Sequence, residues 1–262
     1  MTMKLEITDI KLSYTNSHDE KLRLLRGVNL SVEEGRVTAL VGGNGAGKTT
    51  LFNIISGFEK GYLGKVLLDG RNIKHMTPSR IARMGVGRLF QGGQLLSGLT
   101  LLDNMKLASS DTTGESPFST LFRSQSLKRS EQEKEKKARE VLFRLFGGGN
   151  KYVSQLDVEA SEFSYGQQRL LSLASLMMGD KKLLLLDEPT SGVNPVFIDL
   201  IGSLIRQLRH DGITILLIEH NMPFVSEIAD TCAFLSDGTI SMVGPTDEVL
   251  NNESVRKSYL GK

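Results

Sequence analysis

The chain opens with short segments in which apolar and polar residues alternate. Leu5 and Ile7, then Ile10 and Leu12, then Val28, Leu30 and Val32 recur at period two, the pattern of strands with one buried and one wet face. An antiparallel sheet is predicted there. At residue 37 the pattern changes, because Val37-Thr38-Ala39-Leu40-Val41 is a nearly continuous apolar run followed at once by glycines. Such a run suits a strand buried on both faces. Leu183-Leu184-Leu185-Leu186 and Ile213-Thr214-Ile215-Leu216-Leu217-Ile218 repeat the theme with helix-like segments between them, which predicts an α/β core with a largely parallel sheet.

Between these core strands, from about Gln91 to Met178, β signals fade and helical ones take over. The most readable helix is predicted to start near Ser130. Ser130 and Glu133 form a capping-box pattern, and Ala138, Val141, Leu142, Leu145 and Phe146 share one face before Gly147-Gly148-Gly149 ends the helix. The charges opposite read as a solvated face. Ser109 to Ser119 reads as a polar loop, and no internal repeat is evident. The whole chain, 1–262, is therefore expected to be a single domain. Residues 1–90 and 179–262 make the core and its antiparallel β subdomain, and 91–178 make an inserted helical subdomain.

Composition narrows the function classes without naming one. With 262 residues, 39% hydrophobic and 24% charged, the chain is ordinary globular protein with room for a substantial core. Thirty-two Lys and Arg against 30 Asp and Glu leave a net charge of +2, so no nucleic-acid partner is expected and any polyanion must bind locally. The single cysteine, Cys232, fits a reducing compartment and reads as a small buried apolar residue rather than a catalytic thiol. The first residues lack the apolar stretch of a signal peptide, and no segment approaches the ~20 apolar residues that span a bilayer. A role at a membrane is expected to be peripheral. His18 and His75 lie in polar stretches, His210 sits at a helix end, and Met177 and Met178 read as core filler.

The chemistry begins at Gly42-Gly43-Asn44-Gly45-Ala46-Gly47-Lys48-Thr49, which fits G-x-x-x-x-G-K-[ST] between a buried strand and the helix-like Thr50-Leu51-Phe52. The glycines let successive backbone N–H groups turn inward around phosphates, and a helix N-terminus adds partial positive charge. Lys48 is expected to reach the β and γ phosphates, and the Thr49 hydroxyl to ligate Mg²⁺. The plainer alternative is a glycine-rich turn that packs a strand on a helix. Further on, four leucines deliver Asp187-Glu188-Pro189 at a strand end. Asp187 matches the Walker B carboxylate that organises Mg²⁺ through its water shell, and Glu188 is placed to orient a water in line with the γ-phosphate. A surface acidic pair after a strand is the alternative.

Phe163-Ser164-Tyr165-Gly166-Gln167-Gln168-Arg169 resembles the L-S-G-G-Q signature of ABC ATPases. The order of the other motifs agrees, with Arg88-Leu89-Phe90-Gln91 before the helical part and Ile218-Glu219-His220 after Walker B. The resemblance covers nearly the whole chain and implies a P-loop NTPase core with a mostly parallel sheet, an N-terminal antiparallel β subdomain and an inserted α-helical subdomain. It implies that Gln91 touches Mg²⁺ and the attacking water, and that His220 contacts the γ-phosphate and holds Glu188. Ser164, Gly166 and Gln167 would bind the γ-phosphate of ATP held on another subunit. The loop Ser191-Gly192-Val193-Asn194 would link the two sites, and Tyr14 would stack on adenine, although an aromatic near a strand end can equally be packing. The nucleotide set so implied is Tyr14, Gly42, Asn44, Gly45, Ala46, Gly47, Lys48, Thr49, Thr50, Ser164, Gly166 and Gln167. Thr49, Gln91 and Asp187 form the Mg²⁺ set, and Glu188, His220 and Gln91 the catalytic one.

The chain departs from the usual signature at Phe163 and Tyr165, where a glycine normally gives phosphate close access. Yet Tyr165 to Arg169, Asn194-Pro195, Glu219-His220-Asn221-Met222 and the insertion from Ser109 to Lys137 resemble the ATP-binding subunits of branched-chain amino acid importers. Similarity to that subfamily implies an ATPase on the cytoplasmic face of the membrane. It would act as a homodimer, or a heterodimer with a similar ATPase, beneath transmembrane permease subunits, with a periplasmic or extracellular solute-binding protein reached indirectly. Urea or amide importers use similar subunits. A soluble ABC ATPase of translation or DNA repair, and an ATP-gated interaction module without turnover, are the other readings; a GTPase lacks its Asn-Lys-x-Asp element here.

Overall fold

The computed structural model describes residues 2–15, 21–92, 95–109, 124–147 and 151–260. His18, Gly148, Gly149 and most of the predicted polar loop lie outside them. The chain forms two compact units, one of Met1–Gln91, Lys182–Thr190 and Ile205–Lys262, the other of Gly92–Lys181 and Ser191–Leu204.

The first unit contains two sheets. The antiparallel one has the order β2-β1-β4-β5, from strands β1 (Met3–Thr15), β2 (Lys21–Glu33), β4 (Leu63–Leu68) and β5 (Arg71–Asn72). In β1 the buried positions switch from odd to even between Ile7 and Ile10, and the pairing shows why. The register shifts there, and Asp9 takes a left-handed backbone, φ 48°, so a bulge absorbs one residue and returns Ile10 to the inner face. The second sheet, of six strands, has the order β10-β9-β3-β8-β7-β6. Strands β3 (Val37–Val41), β7 (Leu183–Asp187) and β8 (Thr214–Ile218) are buried at every residue, as their unbroken apolar runs require.

Five strands of this sheet run parallel, from β6 (Val86–Leu89) through β7, β8 and β3 to β9 (Thr231–Ser236), and β10 (Thr239–Pro245) closes the edge antiparallel. Helix α1 (Lys48–Ile55) shares one apolar core with residues of both sheets, among them Leu5, Ile10, Val28, Leu183, Leu216 and Leu235. On the opposite side Ala39, Val41, Cys232 and Phe234 pack with Val225, Val249 and Val255. Cys232 is buried there, as expected, and burial pushes its thiol pKa up to about 12.

The second unit is helical among its described residues, with α3 (Leu101–Ala108), α4 (Ser124–Phe146) and α6 (Tyr165–Ser175) as its main elements. Ala138, Val141, Leu142 and Leu145 are buried, and Gly147 closes α4 in a left-handed conformation with its N–H on the Phe143 carbonyl. The predicted start is wrong. Helix α4 already runs from Ser124, Ser130 lies inside it, and Glu133 pairs with Arg129 one turn back rather than with a cap. Residues 125–129 include Gln, Leu, Lys and Arg, good helix formers that give the helix no reason to begin later, and one internal serine costs it only tenths of a kcal/mol. No helix among the described residues is long and apolar enough to cross a membrane.

Candidate functional site

The four strands β3, β8, β7 and β6 are parallel neighbours, so their C-terminal ends meet along one edge, where ligands of open α/β sheets bind. Gly42 follows β3, Glu219 and His220 follow β8, Asp187 ends β7 ahead of Glu188, and Gln91 lies two residues beyond β6. Motifs spread over about 180 residues of sequence, from Gly42 to His220, converge because the strand order places them side by side.

The cradle is built on close backbone approach. A Cβ on Gly42 would stand 2.1 Å from the Leu235 carbonyl oxygen, and Gly47, at φ 103°, would bring one to 2.6 Å from the Leu25 side chain. Gly47 is the N-cap of α1, whose first-turn N–H groups have no partner within the helix and face a ready anion site. Lys48 is buried and folds back, its Nζ donating to the carbonyls of Gly42 and Gly43 at 2.8 and 2.9 Å. Burial pulls its pKa down, against the nearby charges of Glu188 and Asp187. A cavity of about 340 Å³ is lined by Leu24, Asn44, Gly45, Ala46, Gly47, Lys48, Thr49, Thr50, Gln91, Glu188 and His220.

Gln91, Glu188 and His220 form one hydrogen-bonded set in that wall. Gln91 Nε2 donates to Glu188 Oε2 at 2.9 Å, and His220 Nε2 lies 3.1 Å from Glu188 Oε1. Glu188 itself has a left-handed backbone, φ 48°, a conformation that costs a non-glycine residue roughly 1–2 kcal/mol and persists only where neighbours enforce it. Its N–H bonds the Ile218 carbonyl at 2.9 Å, extending the pairing of β7 with β8.

Two further residues, Arg88 and Glu219, to which the sequence patterns assign no role, belong to this edge. Asp187 is fully buried, and Arg88 Nη2 lies 3.6 Å from its Oδ2. Arg88 also donates to Ser56 Oγ at 2.6 Å and stacks on the Phe90 ring at 4.4 Å, so the Walker B carboxylate is tied to the end of α1. Glu219 is 2% exposed. Its Oε1 accepts from the N–H and hydroxyl of Thr190, and its Oε2 from the N–H groups of His220 and Asn221. The only sequence signal for either was a charged residue at the end of a buried strand.

The oxygen donors here suit a hard cation held with phosphate: the Thr49 hydroxyl, the Asp187 carboxylate and the Gln91 amide oxygen are the ligand class of Mg²⁺. Tyr14 stands outside the wall of the phosphate cavity. It is 44% exposed, its hydroxyl donates to Glu59 Oε2 at 2.7 Å, and it is not among the residues lining the cavity.

Ser164, Gly166 and Gln167 lie in the second unit at the start of α6. Ser164 is exposed and caps the helix reciprocally: its N–H donates to Gln167 Oε1 at 2.8 Å, and the Gln167 N–H returns to Ser164 Oγ at 3.4 Å. Tyr165 turns onto the neighbouring loop, its hydroxyl on the Ser191 carbonyl at 3.2 Å. Gly166 packs so tightly that a Cβ would come 2.7 Å from the Phe197 ring.

Residues 25–191 match the ABC transporter family model. The high-affinity branched-chain amino acid transport ATP-binding protein BraF of Pseudomonas aeruginosa is 36% identical over 242 residues, covering 92% of this chain and 93% of that protein. LivG of Escherichia coli K12, of the same description, is 35% identical with the same coverage. Among solved structures, an ATP-binding cassette of an ABC transporter in its ADP conformation superposes with a TM-score of 0.82 at 31% identity, covering 100% of both chains. A nucleotide-free cassette gives 0.80 at 30%, again covering all of both. Cradle, Walker B carboxylate and relatives agree, and the chain belongs to the ABC transporter family as one of its ATP-binding cassettes.

Proposed function

We propose that this chain is the ATP-hydrolysing subunit of an importer for branched-chain or other hydrophobic amino acids. Such a subunit works peripherally on the cytoplasmic face of the membrane beneath permease subunits. The observation that carries the hydrolytic part is Glu188, held between Gln91 and His220 in the wall of the phosphate cradle. The substrate class rests on the relatives, whose names assign them branched-chain amino acid transport.

In this reading the backbone N–H groups from Asn44 to Thr50 and the Lys48 ammonium hold the triphosphate. Thr49 and Gln91 would hold Mg²⁺, with Asp187 organising its water shell, and the ion would supply charge neutralisation at the phosphates. Glu188 accepts from the attacking water and aligns it, while His220 fixes the Glu188 carboxylate and meets the γ-phosphate. Tyr14 offers its exposed ring to adenine. Ser164, Gly166 and Gln167 complete the site of a second copy or a similar ATPase subunit, with the N-terminus of α6 presented to its γ-phosphate. The exposure of Ser164 supports that role.

Substituting Glu188→Gln tests the core of this proposal. The amide keeps the size but loses the carboxylate that aligns water, so ATP should still bind with turnover reduced about a hundredfold or more, and size-exclusion chromatography with ATP should show trapped dimers. Undiminished phosphate release by that variant removes Glu188 from the reaction.

A further inference from the structure

The Glu188 backbone poses a question that the hydrolytic reading does not answer. A non-glycine residue at φ 48° relaxes unless its flanks are fixed. On its N-terminal side the β7 and β8 pairing fixes it. On the other side, two residues on, stands Thr190, and both its N–H (2.8 Å) and its hydroxyl (2.6 Å) are bound by Glu219 Oε1. The second oxygen of the same carboxylate takes the N–H of His220 (3.0 Å) and of Asn221 (3.3 Å).

We propose that Glu219 is a positioning residue for hydrolysis: its buried carboxylate clamps the loop after β7 to the loop after β8, holding Glu188 in its left-handed conformation and setting it against His220. This rests on the reading of Glu188 as the group that aligns water. The chemistry of the clamp requires a carboxylate. Four donors converge on two oxygens, and an ionised carboxylate is acceptor-only at both. A glutamine would turn an N–H₂ group against one pair of donors, freeing either Thr190 or the start of the His220 loop. A buried carboxylate carries a desolvation penalty that an apolar residue would avoid, and all four donors come from the two segments that carry Glu188 and His220. With Thr190 released, Glu188 can relax out of the left-handed region, and its carboxylate swings away from Gln91 and His220.

The test compares Glu219→Gln, Thr190→Val and Thr190→Ser in the full chain, reading kcat, the affinity for a fluorescent ATP analogue and amide exchange of residues 187–192. Glu219→Gln should lower kcat about ten- to a hundredfold, the scale of small misplacements of a reacting group. Analogue affinity should stay within about twofold, because the cradle is untouched, and exchange at 187–192 should rise. Thr190→Ser, which keeps the hydroxyl, should stay near wild type, and Thr190→Val should slow turnover. In a Glu188→Gln background Glu219→Gln should add almost nothing, since a clamp has no effect without the group it aims. Normal kcat in Glu219→Gln, or equal loss of kcat and analogue affinity, overturns the proposal. If Glu219→Gln fails to fold, the two Thr190 variants decide it, and equal rates for Val and Ser overturn it. An inert Glu219→Gln beside a dead Glu188→Gln sinks the clamp alone, whereas an active Glu188→Gln sinks the reading beneath it.

Discussion

Tyr14 and Glu59 show how one side chain can hold another's charge. The Tyr14 hydroxyl, ahead of the backbone N–H groups of Gly61 and Lys60, holds the Glu59 carboxyl below its ordinary value. A depressed carboxyl pKa means that the contact favours the folded chain at pH above the ordinary carboxylate range, and that this benefit disappears as pH falls through the lowered value. Tyr14→Phe should therefore move the Glu59 titration upward toward an ordinary glutamate, as followed by carboxyl carbon NMR. Because Tyr14 is exposed and Glu59 only partly buried, the melting temperature should change little. At this scale the sequence was informative where chemistry is local: Gly42 to Thr49 could be read directly, since a glycine-rich turn, its lysine and its hydroxyl sit within eight positions. Glu219 was not readable as a clamp. Its partner Thr190 is 29 residues away, and only the adjacency of β7 and β8 makes them neighbours. Tyr14 was matched by its place ahead of the cradle, and nothing in that place foretold Glu59.

Among the elements, helix α6 carries a tight packing constraint. A methyl group added at Gly166 would meet the Cβ, Cγ and Cδ2 atoms of Phe197 at 3.2, 2.8 and 2.7 Å, near the root of that side chain, where a rotamer change gives little relief. Gly166→Ala should destabilise the helical unit by about 1–3 kcal/mol, measured by denaturant unfolding, and Phe197→Leu in the same chain should restore part of the loss. Helix α7 (Pro195–His210), which carries Phe197, starts as its sequence dictates: Asn194 Oδ1 accepts the Phe197 N–H at 3.2 Å, and Pro195 occupies a first-turn position that needs no donor. Strand identities were legible because period-two and all-apolar runs are set by burial on one face or two. The start of α4 was not, because a capping pattern such as Ser130 to Glu133 is equally at home within a helix, where i,i+4 pairing of Arg129 with Glu133 competes for the same glutamate.

For the whole molecule, the parallel order of β6, β7, β8 and β3 turns four distant motifs into one site, and no single window of sequence contains that information. The order β10-β9-β3-β8-β7-β6 also puts Cys232 on a strand with cores on both sides of it. The thiolate is the reactive form, and a thiol pushed up to about 12 supplies almost none of it at neutral pH. Iodoacetamide at pH 8 should therefore leave the folded chain unmodified and label Cys232 fully once denaturant is added, as read by intact mass. A sealed native sulfur makes the protein a ready host for spectroscopic reporters. Paired cysteines engineered onto exposed positions such as Ser161 and His75 could carry nitroxide or fluorescent tags without first deleting the natural one, and the distance between the tags could then be measured with and without nucleotide.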